Sequence, residues 1–232
     1  MTLFTFHFAK TKMGTTVSAL CRPPTGQEVP GLTHAECMTR MTLGAPILSP
    51  ARMQLHHLTM FAAWESHGAI DAFLANTPLG RALATGWHVR LEFQRRWGYV
   101  NAFAGLAESV GDQDPAAPVV AVTLARMKLS QVPRFIQWGK PVEELVRDHP
   151  GTTLAIAAMR LPRTVSTFSV WTSQRAMIDM VRGHSAVPRP ERHAAAMAER
   201  QRKDFHFEFT TLRFRPIAEY GHWDGRTNII PT

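Results

Sequence analysis

Thr167-Phe168-Ser169-Val170-Trp171-Thr172-Ser173 runs directly into Gln174-Arg175-Ala176-Met177-Ile178-Asp179-Met180. The β-branched and aromatic residues of the first stretch predict a strand. Ser173, placed just before a helix-period set of apolar side chains, predicts an N-cap and the helix it opens. The phrase has a counterpart upstream, Met60-Phe61-Ala62-Ala63-Trp64-Glu65-Ser66, followed by His67-Gly68-Ala69-Ile70-Asp71-Ala72-Phe73. Trp64 and Trp171 are 107 positions apart, as are Ser66 and Ser173, close to half of a 232-residue chain. Two copies of one βα unit follow from that spacing.

Working outward from Trp171, Val119–Leu124 is a buried strand. Ser130 opens a helix that Gly139 and Pro141 are expected to kink or split. Thr153–Met159 is a short apolar strand, and a second helix spans roughly Glu191–Lys203. The closing strand, 205–215, is expected to bulge near Thr210-Thr211, where its apolar parity changes. The second half thus reads βαββαβ, the ferredoxin-like order. The first half reads as a looser copy: strand 2–8, a Pro/Gly-rich stretch over 14–36 that reads as loop with at most a short helical turn, and an extended segment over 38–48 broken at Gly44 and Pro46. Strand 53–64 follows with a bulge at His56-His57, and strand 87–99 alternates cleanly. The expected fold is α+β: tandem duplicated ferredoxin-like units forming one barrel, with a pocket enclosed between facing sheets. Residues 1–107 form the first half, 108–118 a linker, 119–216 the second half and 217–232 an irregular tail. The second copy is about eleven residues longer, the excess falling around Gly183–Arg192.

At 45% hydrophobic the chain has enough apolar material for a sizeable core. No run approaches the length of a membrane span, and the N-terminus alternates apolar and polar residues instead of forming a signal segment, so a cytoplasmic location is expected. Cys21 and Cys37 read as reduced thiols. The formal charge of +8, from 26 Lys+Arg against 18 Asp+Glu, is spread along the chain and forms no one-sided stripe. Nucleic acid is therefore not the expected partner, and a basic pocket for an anionic ligand fits the charge at least as well. No Gly-x-Gly-x-x-Gly, Walker loop, Gly-x-Ser-x-Gly elbow or zinc-ligand spacing occurs.

From Ala125 to Pro216 the chain resembles the spheroidene monooxygenase family. The resemblance rests on Leu124-Ala125-Arg126, Pro133-Arg134-Phe135-Ile136-Gln137-Trp138, Pro141, His149-Pro150-Gly151, Thr167-Phe168-Ser169-Val170-Trp171 and Arg213-Phe214-Arg215-Pro216. Gly221-His222-Trp223 is similar to the family's Gly-x-Trp ending. It implies a dimeric α+β barrel fold, shared with antibiotic-biosynthesis monooxygenases, chlorite dismutases, dye-decolourising peroxidases and aldoxime dehydratases. It further implies haem b and oxygenation of a hydrophobic small molecule. An electron-donor protein and a homodimer are the partners it suggests. A haem enzyme of dehydratase or peroxidase type, or a non-enzymatic haem or small-ligand binder, is the alternative.

Under that resemblance, His193 matches the family's helix histidine as the haem-iron ligand, with small neighbours such as Ala196 on its face. His184, inside the longer segment, competes with it. Arg126 is the candidate catalytic group, facing a propionate or bound oxygen. Arg134 and Arg160 are candidates for the propionates, and Trp138, Phe168 and Trp171 for the substrate walls. Each also has a plainer reading, as a surface histidine, a salt-bridged arginine or a core aromatic.

Overall fold

The computed structural model describes residues 2–45, 49 and 52–231. The first half runs β1 (Leu3–Lys10), α1 (Met13–Cys21), β2 (Leu32–Met41), β3 (Gln54–Trp64), α2 (His67–Asn76), α3 (Pro78–Ala84) and β4 (Trp87–Tyr99). The second runs β5 (Val119–Met127), α4 (Val132–Asp148), β6 (Thr152–Arg160), β7 (Thr164–Trp171), α5 (Gln174–Arg182), α6 (Arg192–Arg202) and β8 (His206–Tyr220). All strand pairs are antiparallel and close a barrel in the order β1-β3-β2-β6-β7-β5-β8-β4. Within it β4-β1-β3-β2 and β8-β5-β7-β6 have the same internal order, the ferredoxin-like one. Among the described residues no helix is long and apolar enough to cross a membrane.

The opening phrase does the same work in both halves. Trp64 lies opposite Leu3, and Trp171 opposite Val119, at matching positions of the β1–β3 and β5–β7 ladders. Each indole N–H donates to a nearby hydroxyl, Thr5 Oγ1 at 2.8 Å and Ser169 Oγ at 2.8 Å. Ser66 Oγ accepts from the Ala69 N–H and Ser173 Oγ from the Ala176 N–H, at 3.2 and 3.1 Å. These caps satisfy amides that the helix starts would leave unpaired. Ser66→Ala and Ser173→Ala should each lower the unfolding free energy by about 1 kcal/mol in denaturant titrations.

Several local expectations change. The stretch over 14–36 contains a full helix, α1, so the first half is not missing that element. α4 is continuous through Pro141, because the single lost backbone bond is outweighed by an otherwise intact amphipathic helix. Its N-cap is Gln131, not Ser130, which lies in a preceding 3-10 turn. The β2–β3 ladder does slip between Thr39–Leu58 and Arg40–Gln54, across His56-His57. β8 shows no bulge at Thr210-Thr211, and slips instead between Glu208 and His206 on its β5 side. β8 also continues past Pro216 to Tyr220. The break expected at Pro46 lies outside the described residues.

The barrel interior is filled, not hollow. Phe4, Phe6, Phe8, Phe61, Phe168 and Phe214 converge there and are at most 1% exposed. Phe6 stacks on Phe168 at 3.8 Å between centroids, and Phe4 lies 4.9 Å from Phe214. Burying each such ring contributes about 1.5–3 kcal/mol. Trp223, from the Gly221-His222-Trp223 segment, packs on Phe8 at 3.2 Å and under the Arg40 guanidinium at 4.9 Å, adding to this core. Among the described residues, these rings occupy the space between the facing sheets where a pocket is expected from the sequence.

Candidate functional site

The cavity lies outside the barrel, between the outer face of the second-half sheet and helices α4, α5 and α6, with a volume of about 570 Å³. The ladders explain why. Across β6, β7, β5 and β8 one outward row reads Ala157, Thr167, Thr123, Thr211, and the next reads Ala155, Ser169, Ala121, Arg213. The corresponding first-half rows across β2, β3, β1 and β4 read Cys37, Met60, His7, His88 and Ala35, Ala62, Thr5, Arg90. With matching backbone layouts, Cys37, Met60 and Trp64 pack against Ile70, Phe73 and Leu83 to fill the first-half layer. The short side chains of the first second-half row cannot reach the helices. A floor made mostly of alanine, serine and threonine remains, roofed by Phe135, Trp138 and Gly139 of α4, Met177 and Val181 of α5, and His193, Ala196 and Met197 of α6.

Two histidines line this space. His193 donates from Nδ1 to the Val181 carbonyl at 3.1 Å. That bond fixes the tautomer and leaves Nε2 as the ring's free lone pair. Burial holds its pKa below the ordinary value, against the opposing pull of the Val181 bond, so the ring is neutral at pH 7. His206 is 4% exposed, its Nδ1 lies 3.0 Å from Asp204 Oδ1, and its Nε2 is buried without a partner. Burial pushes its pKa down to about 4, with Asp204 pulling the other way. His206 went unrecognised in the sequence because simple alternation groups it with Glu208 and Thr210, on the barrel-interior face. The slip that pairs Arg126 with Glu208 but Met127 with His206 turns it to the cavity face.

The candidates read from the sequence divide. His193, Trp138 and Trp171 border the cavity. Phe168 borders it only along its strand, since its ring belongs to the barrel interior against Phe6. Arg126 and Arg160 point the other way, onto the interior face, where both bind Glu36 of β2. Arg126 pairs with Oε1 and Arg160 with Oε2, the latter at 2.9 Å. Glu36 is 1% exposed and also bonded to His34 at 3.0 Å. These two arginines have their carboxylate within the chain, which removes the reason for assigning them to a ligand. Arg134 pairs with Glu199 and stacks over Phe205 at 4.7 Å, behind the cavity wall. His184 is exposed: Gly183, at φ 75°, ends α5 in a left-handed turn that carries the following residue outward. No group of three or more His, Cys, Asp or Glu side chains among the described residues could hold a metal ion.

The donor set fits a haem. The cavity is largely apolar, with many short side chains along its sheet side, it offers neutral imidazoles, and the orphaned Nε2 of His206 is a buried polar atom in want of a partner. Its cationic groups include Arg95, Arg200 and Arg213, whereas its one glutamate, Glu143, is bonded to Arg52 at 3.1 Å.

Fold and cavity together define a ferredoxin-like α+β barrel with a chamber under the helices of its C-terminal half. In structure, an aldoxime dehydratase crystallised with butyraldoxime aligns with a TM-score of 0.52 at 8% identity, covering 98% of this chain and 84% of that one; the likeness is one of fold. No family model matches the chain. In sequence, it is 28% identical over 170 residues to the spheroidene monooxygenase of Rubrivivax gelatinosus, and 27% identical over 164 residues to that of Rhodobacter capsulatus. These alignments cover 72% and 70% of this chain, and 63% and 60% of the relatives. The chain is thus similar to the spheroidene monooxygenases, and its match spans less than two thirds of the length of those relatives.

Proposed function

We propose that the chain is a haem-dependent monooxygenase that oxygenates an apolar small molecule in the chamber over β5–β8. The observation that carries the reading is His193, a neutral imidazole in the cavity wall whose Nδ1–H is held by the Val181 carbonyl. A histidine so held presents Nε2 as a metal ligand. Bound there, a haem would supply activation of dioxygen beside the substrate. Trp138 and Trp171 supply apolar wall and exclude water, while His206 Nε2, backed by Asp204, holds or accepts a proton inside the chamber. Spheroidene, named by the relatives, is the first substrate to test. The matching registers of Trp64 and Trp171 and the paired serine caps support reading the two halves as tandem copies, the second hollowed for this use.

Purified protein loaded with haem should show a Soret band that His193→Ala shifts or abolishes, while His184→Ala leaves it unchanged. A band indifferent to His193→Ala overturns the ligand assignment. Turnover should require both reductant and dioxygen; turnover without reductant would move the protein to dehydratase or peroxidase chemistry.

A further inference from the structure

Two arginines occupy matching ladder positions in the two halves and have opposite fates. Arg90 lies opposite Thr5 in the β1–β4 ladder, and Arg213 opposite Ala121 in the β5–β8 ladder. Both are nearly buried, at 7% and 8% exposure. Arg90 has its counter-ion within the chain: it pairs with Asp71 of α2 and bonds His67 at 3.0 Å. Asp71 stands five residues after the capping Ser66, and the residue five after the capping Ser173 is Ile178. The helix that should supply a carboxylate to Arg213 offers an isoleucine at the cavity wall instead. Among the described residues no acid pairs with Arg213. Its guanidinium lies 4.3 Å over Trp97, which carries Arg95 at 4.5 Å, and both Arg95 and Trp97 line the same cavity.

A buried cation without a counter-ion is costly, and a stacked arginine keeps its in-plane donors free for bidentate bonding to a carboxylate. We propose that Arg213, with Arg95 across the Trp97 ring, is an anion anchor that binds the carboxylate of an otherwise apolar ligand, taking the place that Asp71 holds in the first half. Two ligand sources share this chemistry: a tetrapyrrole propionate and a substrate that is itself a carboxylic acid. Burial, reinforced by the charge of Arg95, holds the Arg213 pKa down to about 10, as expected for a cation waiting for its partner. The anchor stands apart from the ligand role of His193, since it concerns the other end of the bound molecule.

The test uses ligand-free protein and two probe pairs that differ only in the acid: protoporphyrin IX against its dimethyl ester, and dodecanoic acid against methyl dodecanoate. Binding is followed by tryptophan quenching and calorimetry. In at least one pair the acid should bind about tenfold tighter than the ester; the porphyrin pair assigns the anchor to a propionate, the fatty pair to substrate. Arg213→Gln should abolish that preference while leaving the ligand-free protein at least as stable to heat as the wild type, because it removes an unpaired charge. Ile178→Asp keeps Arg213 but gives it an internal carboxylate, and should also abolish the preference while raising the melting temperature. Equal affinity for acid and ester in both pairs, or an acid preference that survives in Ile178→Asp, overturns the proposal. Neither result depends on a Soret band.

Discussion

Glu36→Leu is expected to lower the unfolding free energy by about 3 kcal/mol, or roughly 6–12 °C in melting temperature for a domain of this size. Glu36 is 1% exposed and is the common counter-ion of Arg126 and Arg160, whose side chains are 18% and 24% exposed. Removing it leaves two interior-facing cations whose remaining ion-pair partner among the described residues is Glu208, 4.0 Å from Arg126 Nε. Partial exposure of the arginines keeps the cost at the low end of the range for broken buried pairs. The triple change Glu36→Leu, Arg126→Met, Arg160→Met should recover most of the loss, because an apolar set of similar volume avoids desolvating any charge. The pH dependence has a definite sign. Burial alone would raise the Glu36 pKa, but the His34 bond and the Arg126 and Arg160 charges outweigh it and hold the pKa below the ordinary 4.5. The stabilisation is therefore present above pH 4.5 and is lost as pH falls through the depressed value. The gap between wild type and Glu36→Leu in denaturant titrations should be full at pH 7 and should close in acid. A gap independent of pH would mean that lost packing, not charge, sets the cost.

The same cluster shows what the sequence could and could not disclose. The repeated Trp-x-Ser phrase was legible because strand, cap and helix are local, and both copies fold as their residues dictate. Glu36 was not legible as the partner of Arg126 and Arg160, because β2 meets β6 only through closure of the barrel, at Thr39–Met41 with Ala157–Met159. Alternation identified two faces on each strand but not which layer would be hollow. That depends on the combined volumes of Ala157, Thr167, Thr123 and Thr211 against those of Cys37, Met60, His7 and His88. Each of these rows is assembled from four separated segments. His193 could be picked out by its small helical neighbours. His206 and Arg213 could not: a bulge reverses the face of the first, and only the comparison with Arg90 and Asp71 shows the second to be unpaired.

His206→Gln should lower turnover by about 10²–10⁴-fold per bound haem while leaving the Soret band in place, the range expected when a positioned acid–base group is lost. The geometry supports the separation: His206 sits on β8 and His193 on α6, each with its own second partner, Asp204 and Val181. Glutamine retains polar contact with Asp204 but has no basic nitrogen to accept a proton at the position of Nε2. Asp204→Asn provides the finer test. Burial depresses the His206 pKa to about 4, and Asp204 is the leading opposing influence. Neutral His206 is the proton-accepting form, so wild-type turnover should rise with pH through about 4 and then level off. Removing the Asp204 charge takes away support for the imidazolium, so the rising limb should move to lower pH and the plateau should fall, because a weaker base accepts the proton less readily. Spheroidene turnover by haem-loaded protein, with reductant and dioxygen saturating, measured across the acid range for the three proteins, checks this. Undiminished turnover in His206→Gln would remove the residue from the chemistry. A limb that stays fixed in Asp204→Asn would assign the titration to another group of the chamber.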